Sequence, residues 1–101
     1  MTGVKFITVS ELSVRATAFV AEAEKGRVKI AITKKGKPIA LLQAIGETVT
    51  GRKETVSNLK NHTVRIISEL EKTGKQLVIT RDAEPVVTLR KITDKVFSIE
   101  K

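Results

Sequence analysis

The chain contains no cysteine, tryptophan or tyrosine, and only one histidine, one methionine, two prolines and three phenylalanines in 101 residues. Without cysteine it has no disulfide framework, no thiolate metal site and no cysteine nucleophile. His62 has no second imidazole beside which to build a metal site or a His-based catalytic pair, so it reads as a surface residue or one turned toward a ligand. Three Phe with no Tyr or Trp give too few flat rings for stacking successive bases, which argues against a single-strand nucleic-acid binder. No 18 consecutive residues are apolar, and residues 1–6 lack the apolar stretch of a secretion signal, so the expectation is a soluble cytoplasmic protein without a membrane partner. No Gly-rich phosphate loop follows a strand. The pairs Glu22/Glu24 and Glu69/Glu71 are spaced i, i+2, which on a helix does not bring two carboxylates face to face. Neither an enzyme nor a cofactor is expected.

The two prolines lead to the organisation of what is present. Pro38 and Pro85 are 47 positions apart, and each follows a short polar turn between two apolar runs, Ile30 to Leu42 in one case and Leu77 to Leu89 in the other. Each copy reads as a β-hairpin in which Pro opens the return strand, where a missing N–H does least harm. The same offset relates Thr8-Val9-Ser10 to Thr55-Val56-Ser57, Leu12 to Leu59, Glu22 to Glu69, Glu24-Lys25 to Glu71-Lys72, and Ile45 to Ile92. So many matches at one spacing indicate a tandem duplication, with repeat one over residues 4–46, repeat two over 51–93 and a short tail at 94–101. A repeat of about 40 residues is near the lower limit for independent folding, so the halves are expected to share a core.

Within each repeat the pattern is strand, helix, strand, strand. Val4 to Val9 alternates weakly as a first strand. Ser10 and Ser57 read as helix N-caps, and Gly26 and Gly74 stand where a left-handed residue ends a helix. The apolar stripes are Leu12, Ala16, Phe19, Val20 and Ala23 in one helix, and Leu59, Thr63, Ile66, Ile67 and Leu70 in the other, each predicting one continuous helix with one buried face. Ile39-Ala40-Leu41-Leu42 is apolar on both faces of its strand, so one face is expected on the helix and the other under the second repeat. The polar, Gly-bounded stretch 46–54 reads as a connection whose end joins a strand. Val96, Phe97 and Ile99 in the tail are expected to cover an edge or the core.

The net charge is +8 and the pI about 10.1, which points to a polyanionic partner. Both repeats are basic: residues 8–45 hold seven Lys/Arg against three Glu, and residues 55–92 hold seven against four acids. Lys34, Lys35 and Lys37 put three cations on one tight turn, with Gly36 permitting a positive φ, a shape that can reach phosphates. The alternative for these residues is a solvated hairpin tip that discourages edge pairing. Arg15 and Lys60 lie in first helical turns, within reach of a groove or backbone. The helix N-termini at Ser10 and Ser57 can also hold a phosphate.

Thr-Val-Ser-Glu-Leu at 8–12, Glu-x-Glu-Lys-Gly at 22–26 and Ile-Thr-Lys-Lys-Gly-Lys-Pro-Ile-Ala at 32–40 together resemble the DNA-binding domain of the Phd/YefM family of bacterial antitoxins. The second repeat keeps Thr55-Val56-Ser57, Leu59, Ile79-Thr80-Arg81 and Pro85, and so resembles a diverged copy. The resemblance implies an α+β fold of two β-α-β-β units paired two-fold across a shared antiparallel sheet. It also implies a transcriptional regulator that binds a double-stranded DNA operator, and a toxin protein as a further partner. The family's DNA-contacting positions fall on Ser13, Arg15 and Lys34 in repeat one and on Lys60, His62 and Arg81 in repeat two. Two departures stand out. A second copy occupies the place of the family's toxin-wrapping helices, and the second turn carries Asp82-Ala83-Glu84 in place of Lys35-Gly36-Lys37. The alternative reading is a protein-interaction module, a toxin-binding antitoxin or a remnant of one, without significant DNA binding. A homodimer of such chains is compatible with either.

Overall fold

A computed structural model of the chain describes residues 3–26, 28–45 and 51–92. Their order is β1 (Gly3–Thr8), α1 (Val9–Glu24), β2 (Val28–Lys34), β3 (Lys37–Ala44), β4 (Arg52–Thr55), α2 (Val56–Asn61), α3 (Thr63–Thr73), β5 (Leu77–Arg81) and β6 (Glu84–Lys91). The strands form one six-stranded sheet in the order β1-β2-β3-β6-β5-β4. The class is α+β, as the strand and helix patterns predict. The tail residues Val96, Phe97 and Ile99 and the first part of the connection, 46–50, lie outside the described residues.

The sheet is mixed, which corrects the expectation of an antiparallel one. β1 pairs with β2 in parallel, Gly3 opposite Val28 through Thr8 opposite Thr33, and β4 pairs with β5 in parallel. A helical crossover joins each pair, and a crossover returns the chain to the same end of the sheet, so the two strands must run the same way. The hairpins β2–β3 and β5–β6 and the central β3–β6 pair are antiparallel.

Position for position, the two halves match at the offset of 47. Ile30 faces Leu42 as Leu77 faces Leu89, and both hairpins have a register shift at the same place, between Ile32 and Thr33 and between Ile79 and Thr80. The Thr33 hydroxyl donates to Ile7 O (3.0 Å) and the Thr80 hydroxyl to Glu54 O (3.4 Å). Both turns hold two central residues at positive φ, Lys35 (54°) and Gly36 (78°) in one, Asp82 (53°) and Ala83 (67°) in the other. That is the two-residue turn whose twist suits a β-hairpin.

The halves meet edge to edge. β3 and β6 are neighbours, with Leu42 opposite Leu89, so the second half extends the sheet and does not lie over the second face of β3 as its sequence suggests. Continuing the ladder satisfies the backbone groups of both strands, which face-to-face stacking would leave at an open edge. The core forms on one face of the sheet. Ile30, Ile32, Ala40 and Leu42 from the first half and Leu77, Ile79, Val87 and Leu89 from the second pack with Leu12, Phe19 and Val20 of α1 and with Leu59, Ile66, Ile67 and Leu70 of α2 and α3. Each such large side chain contributes about 1.5–3 kcal/mol by leaving water.

The N-caps are Thr8 and Thr55, not Ser10 and Ser57. Thr8 is extended, its hydroxyl accepts from Glu11 N (3.0 Å), and the Glu11 carboxylate accepts from Thr8 N (2.9 Å), a reciprocal capping box. Thr55 accepts from Asn58 N (3.0 Å). The serines follow inside the first turns and are exposed. Gly26 and Gly74 hold positive φ at the helix ends, as their positions predict.

Neither helix is continuous. Arg15 interrupts α1 at φ −124°, ψ 35°, and His62 separates α2 from α3 at φ −131°, ψ 37°. No Gly or Pro marks either break, so apolar periodicity reads straight through it. At the second break the Thr63 hydroxyl donates to Leu59 O (2.6 Å) and Lys60 O (3.0 Å), satisfying carbonyls the interrupted ladder leaves open.

Candidate nucleic-acid interface

The residues singled out in the sequence fall into two places on each half. The first is the helix break. Arg15 and His62 are the break residues themselves, both exposed, with Ser13 and Lys60 two positions before them. Ser10 and Ser57 lie on the first turns of the same segments. Because α1 packs against both α2 and α3, the two breaks sit on one helical layer above the sheet. Two exposed valines flank them, Val14 at 73% and Val64 at 68%. Neither valine belongs to the buried stripes, and each stands in water beside polar side chains.

The second place is the hairpin turn, and the two turns lie at opposite ends of the sheet. The β2–β3 turn stands beyond the end of β6, where Lys91 faces Ala40, and the β5–β6 turn beyond the end of β3, where Ala44 faces Val87.

Ion pairs sort the candidate cations. Lys34 Nζ lies 3.3 Å from Glu71 Oε1 on α3, and an Arg81 guanidinium nitrogen lies 2.7 Å from Glu24 Oε1 on α1. Each hairpin is thus tied to the helix of the other half, at positions again 47 apart. Lys5 with Glu22 (3.4 Å) and Arg52 with Glu69 (3.0 Å) form a second matched set within the halves. Glu69, and then Glu54, hold the Arg52 guanidinium above its ordinary range through hydrogen bonds and charge. Lys34 and Arg81, expected to contact phosphate, are therefore occupied by carboxylates. Among the described residues no carboxylate holds Arg15, Lys35, Lys37 or Lys60.

Three further residues belong to this surface. Asn58, Asn61 and Arg65 are exposed around the second break, and residues 56–68 contain no carboxylate. The corresponding stretch of α1 carries Glu11, committed to the capping box, and one cation, Arg15. The charge count of a whole repeat conceals this, since Glu69 and Glu71 follow one turn later; a count by helical turn would find it. The helices are thus unequal, α2 with the start of α3 being the more cationic, while the first hairpin is the more cationic of the two turns.

Chemically the surface offers cations, amides, hydroxyls and small apolar groups on a rigid support. Among the described residues no group of His, Asp and Glu is placed to hold a metal ion, and no helix is long and apolar enough to cross a membrane. A cavity of about 550 Å³ lies away from these residues, between α3 and the start of β4, lined by Gly51, Arg52, Glu69, Thr73 and Leu77. No protein-family model, curated protein or solved structure matches this chain.

Proposed function

We propose that the chain is a sequence-specific double-stranded DNA-binding transcriptional regulator of the Phd/YefM antitoxin type, a duplicated β-α-β-β unit acting as a pseudo-dimer within one polypeptide. The observation that carries this reading is the matched pair of helix breaks at Arg15 and His62. Duplex DNA is itself two-fold symmetric, and proteins that read it present two equivalent elements about a dyad. Here the equivalent elements are short helical segments ending in Arg15 and His62, with Ser13 and Lys60 behind them. Side chains such as Arg, Lys, Asn and Ser can address base edges or phosphates, and the methyl groups of Val14 and Val64 suit the thymine methyl. A net charge of +8 supplies the sequence-independent part of the attraction.

The test is titration of the chain against the DNA upstream of its own reading frame and against an unrelated duplex, at several salt concentrations. Preferential, salt-dependent binding to the upstream DNA supports the reading. Equal or absent binding overturns it in favour of a protein-interaction module, which has one observation on its side: Lys34 and Arg81 are already engaged with Glu71 and Glu24.

A further inference from the structure

The two halves depart from each other at one end of the sheet. In the first half the parallel ladder begins with Gly3 opposite Val28 and continues with Val4 opposite Lys29. In the second it begins only with Arg52 opposite Leu77. Gly51 and Gln76, the counterparts of Val4 and Lys29 at the offset of 47, stand outside it. The backbone differs accordingly: Gly51 holds φ +127°, far from strand geometry, and a Cβ built on it would come within 2.2 Å of Gln76 O. The cavity of about 550 Å³ opens at this place, between the shortened ladder and the last turns of α3. Its size is that of a small-molecule site, for which roughly 300–1,000 Å³ is usual.

The lining is apolar on one side and cationic at the rim. Leu70 and Leu77, both buried, form the apolar wall. The charged side chains are Arg52, Lys75 and Glu69, which leave one net positive charge. Arg52 is engaged with Glu69 (3.0 Å) and Glu54 (3.1 Å), so it braces the wall. Lys75 is exposed, and among the described residues no carboxylate holds it. Its counterpart in the first half is Val28, so this ammonium is peculiar to the second. A helix C-terminus repels anions through its free carbonyls. Here Glu69 O accepts from the Thr73 hydroxyl (3.0 Å), Leu70 O from Gly74 N (2.8 Å) and Glu71 O from Lys91 Nζ (3.0 Å), which quiets that end of α3.

We propose that this cleft binds a small apolar monocarboxylate, its hydrocarbon body against Leu70 and Leu77 and its carboxylate on the Lys75 ammonium. A multiply charged anion would meet one uncommitted cation beside the carboxylates of Glu69 and Glu54. An amine would meet Lys75 itself. The single net charge over an apolar wall therefore selects an anion of single charge with an apolar body. The inference is independent of what the helical surface binds.

The test is a titration of the full ¹⁵N-labelled chain with phenylbutyrate and with octanoate, followed through its amide resonances at fixed pH and ionic strength. Acetate and phenylbutylamine serve as controls. The expected result is saturable shifts at Gly51, Arg52, Lys75 and Leu77 with either apolar acid, no movement at Arg15 or His62, and no saturation with either control. Lys75→Glu lies on an exposed position and should leave the melting temperature unchanged while weakening binding by about 10-fold or more. Failure of both acids to saturate below about 10 mM overturns the proposal. So do shifts centred on the helix breaks, saturation by the amine, or unaltered affinity in Lys75→Glu. Acetate binding as tightly as octanoate would overturn the role of the leucine wall.

Discussion

Leu42 lies directly opposite Leu89 in the central β3–β6 ladder, and the two are separated in sequence by the offset of 47 that relates the halves. Both are fully buried in the core beneath the helices. Leu42→Ala and Leu89→Ala should each cost about 2–5 kcal/mol of unfolding free energy. The double variant should depart from additivity because the two cavities adjoin. Urea denaturation followed by circular dichroism measures all three. A cost well below about 2 kcal/mol for either leucine would show that the seam is not part of the cooperative core.

Gly51 precedes β4 at φ +127°, and a Cβ built there would lie 2.2 Å from Gln76 O. No L side chain fits, and the obstacle is backbone, which cannot rotate away. Gly51→Ala should therefore destabilise the fold by about 3 kcal/mol. Thermal denaturation reads the loss. A variant that melts with the wild type would mean that β4 enters the sheet by another path.

Ala83 occupies the second central position of its turn at φ 67°, where the other turn has Gly36. The left-handed region costs an L residue about 1 kcal/mol, part of which is offset by the extra chain entropy that glycine brings to the unfolded state. Ala83→Gly should stabilise by about 0.5 kcal/mol, while Gly36→Ala should destabilise. Denaturation midpoints of the two single variants check the opposite signs.

Lys34–Glu71 and Arg81–Glu24 are exposed, so each is expected to contribute only about 0–1 kcal/mol to stability. Their more informative effect is on binding. If Lys34 must release Glu71 to meet a phosphate, Glu71→Gln should tighten DNA binding at low salt more than removal of one negative charge elsewhere, such as Glu11→Gln. Equal effects of the two substitutions would assign Lys34 to the fold alone.

For the proposed DNA interface, Lys35→Ala/Lys37→Ala should weaken binding to every sequence and flatten the dependence of log K on log salt by about 1 for each phosphate no longer neutralised. Arg15→Ala and Lys60→Ala should instead reduce the preference for the upstream DNA over an unrelated duplex by about 1–3 kcal/mol, if they meet base edges. Because the halves carry unequal charges, the preferred sites should be unequal half-sites and not a strict palindrome. Fluorescence titration at several salt concentrations separates the terms. An unchanged slope in the double-lysine variant would return the first hairpin to a solvated tip.

What the sequence determined by itself is whatever depends on neighbours along the chain. Alternation in Lys29 to Thr33, the stripe from Leu12 to Ala23, the glycines at 26, 36 and 74 and the prolines at 38 and 85 are local signals, because strand pleat, helix pitch and positive φ are properties of a few consecutive residues. The Thr8 cap was within reach too, since Thr8-Val9-Ser10-Glu11 contains the Thr-x-x-Glu box, which outweighs the serine nearer the apolar stripe. The offset of 47 ordered these signals into two sets. Only the tertiary structure decided how the sets meet: β3 beside β6 and not one sheet over another, β1 and β4 parallel to their neighbours, and Lys34 and Arg81 held by carboxylates of the opposite half. The breaks at Arg15 and His62 belong with these, for no Gly or Pro announces them. These are contacts between residues tens of positions apart, chosen by which surfaces can be buried together, and no short-range pattern encodes that choice.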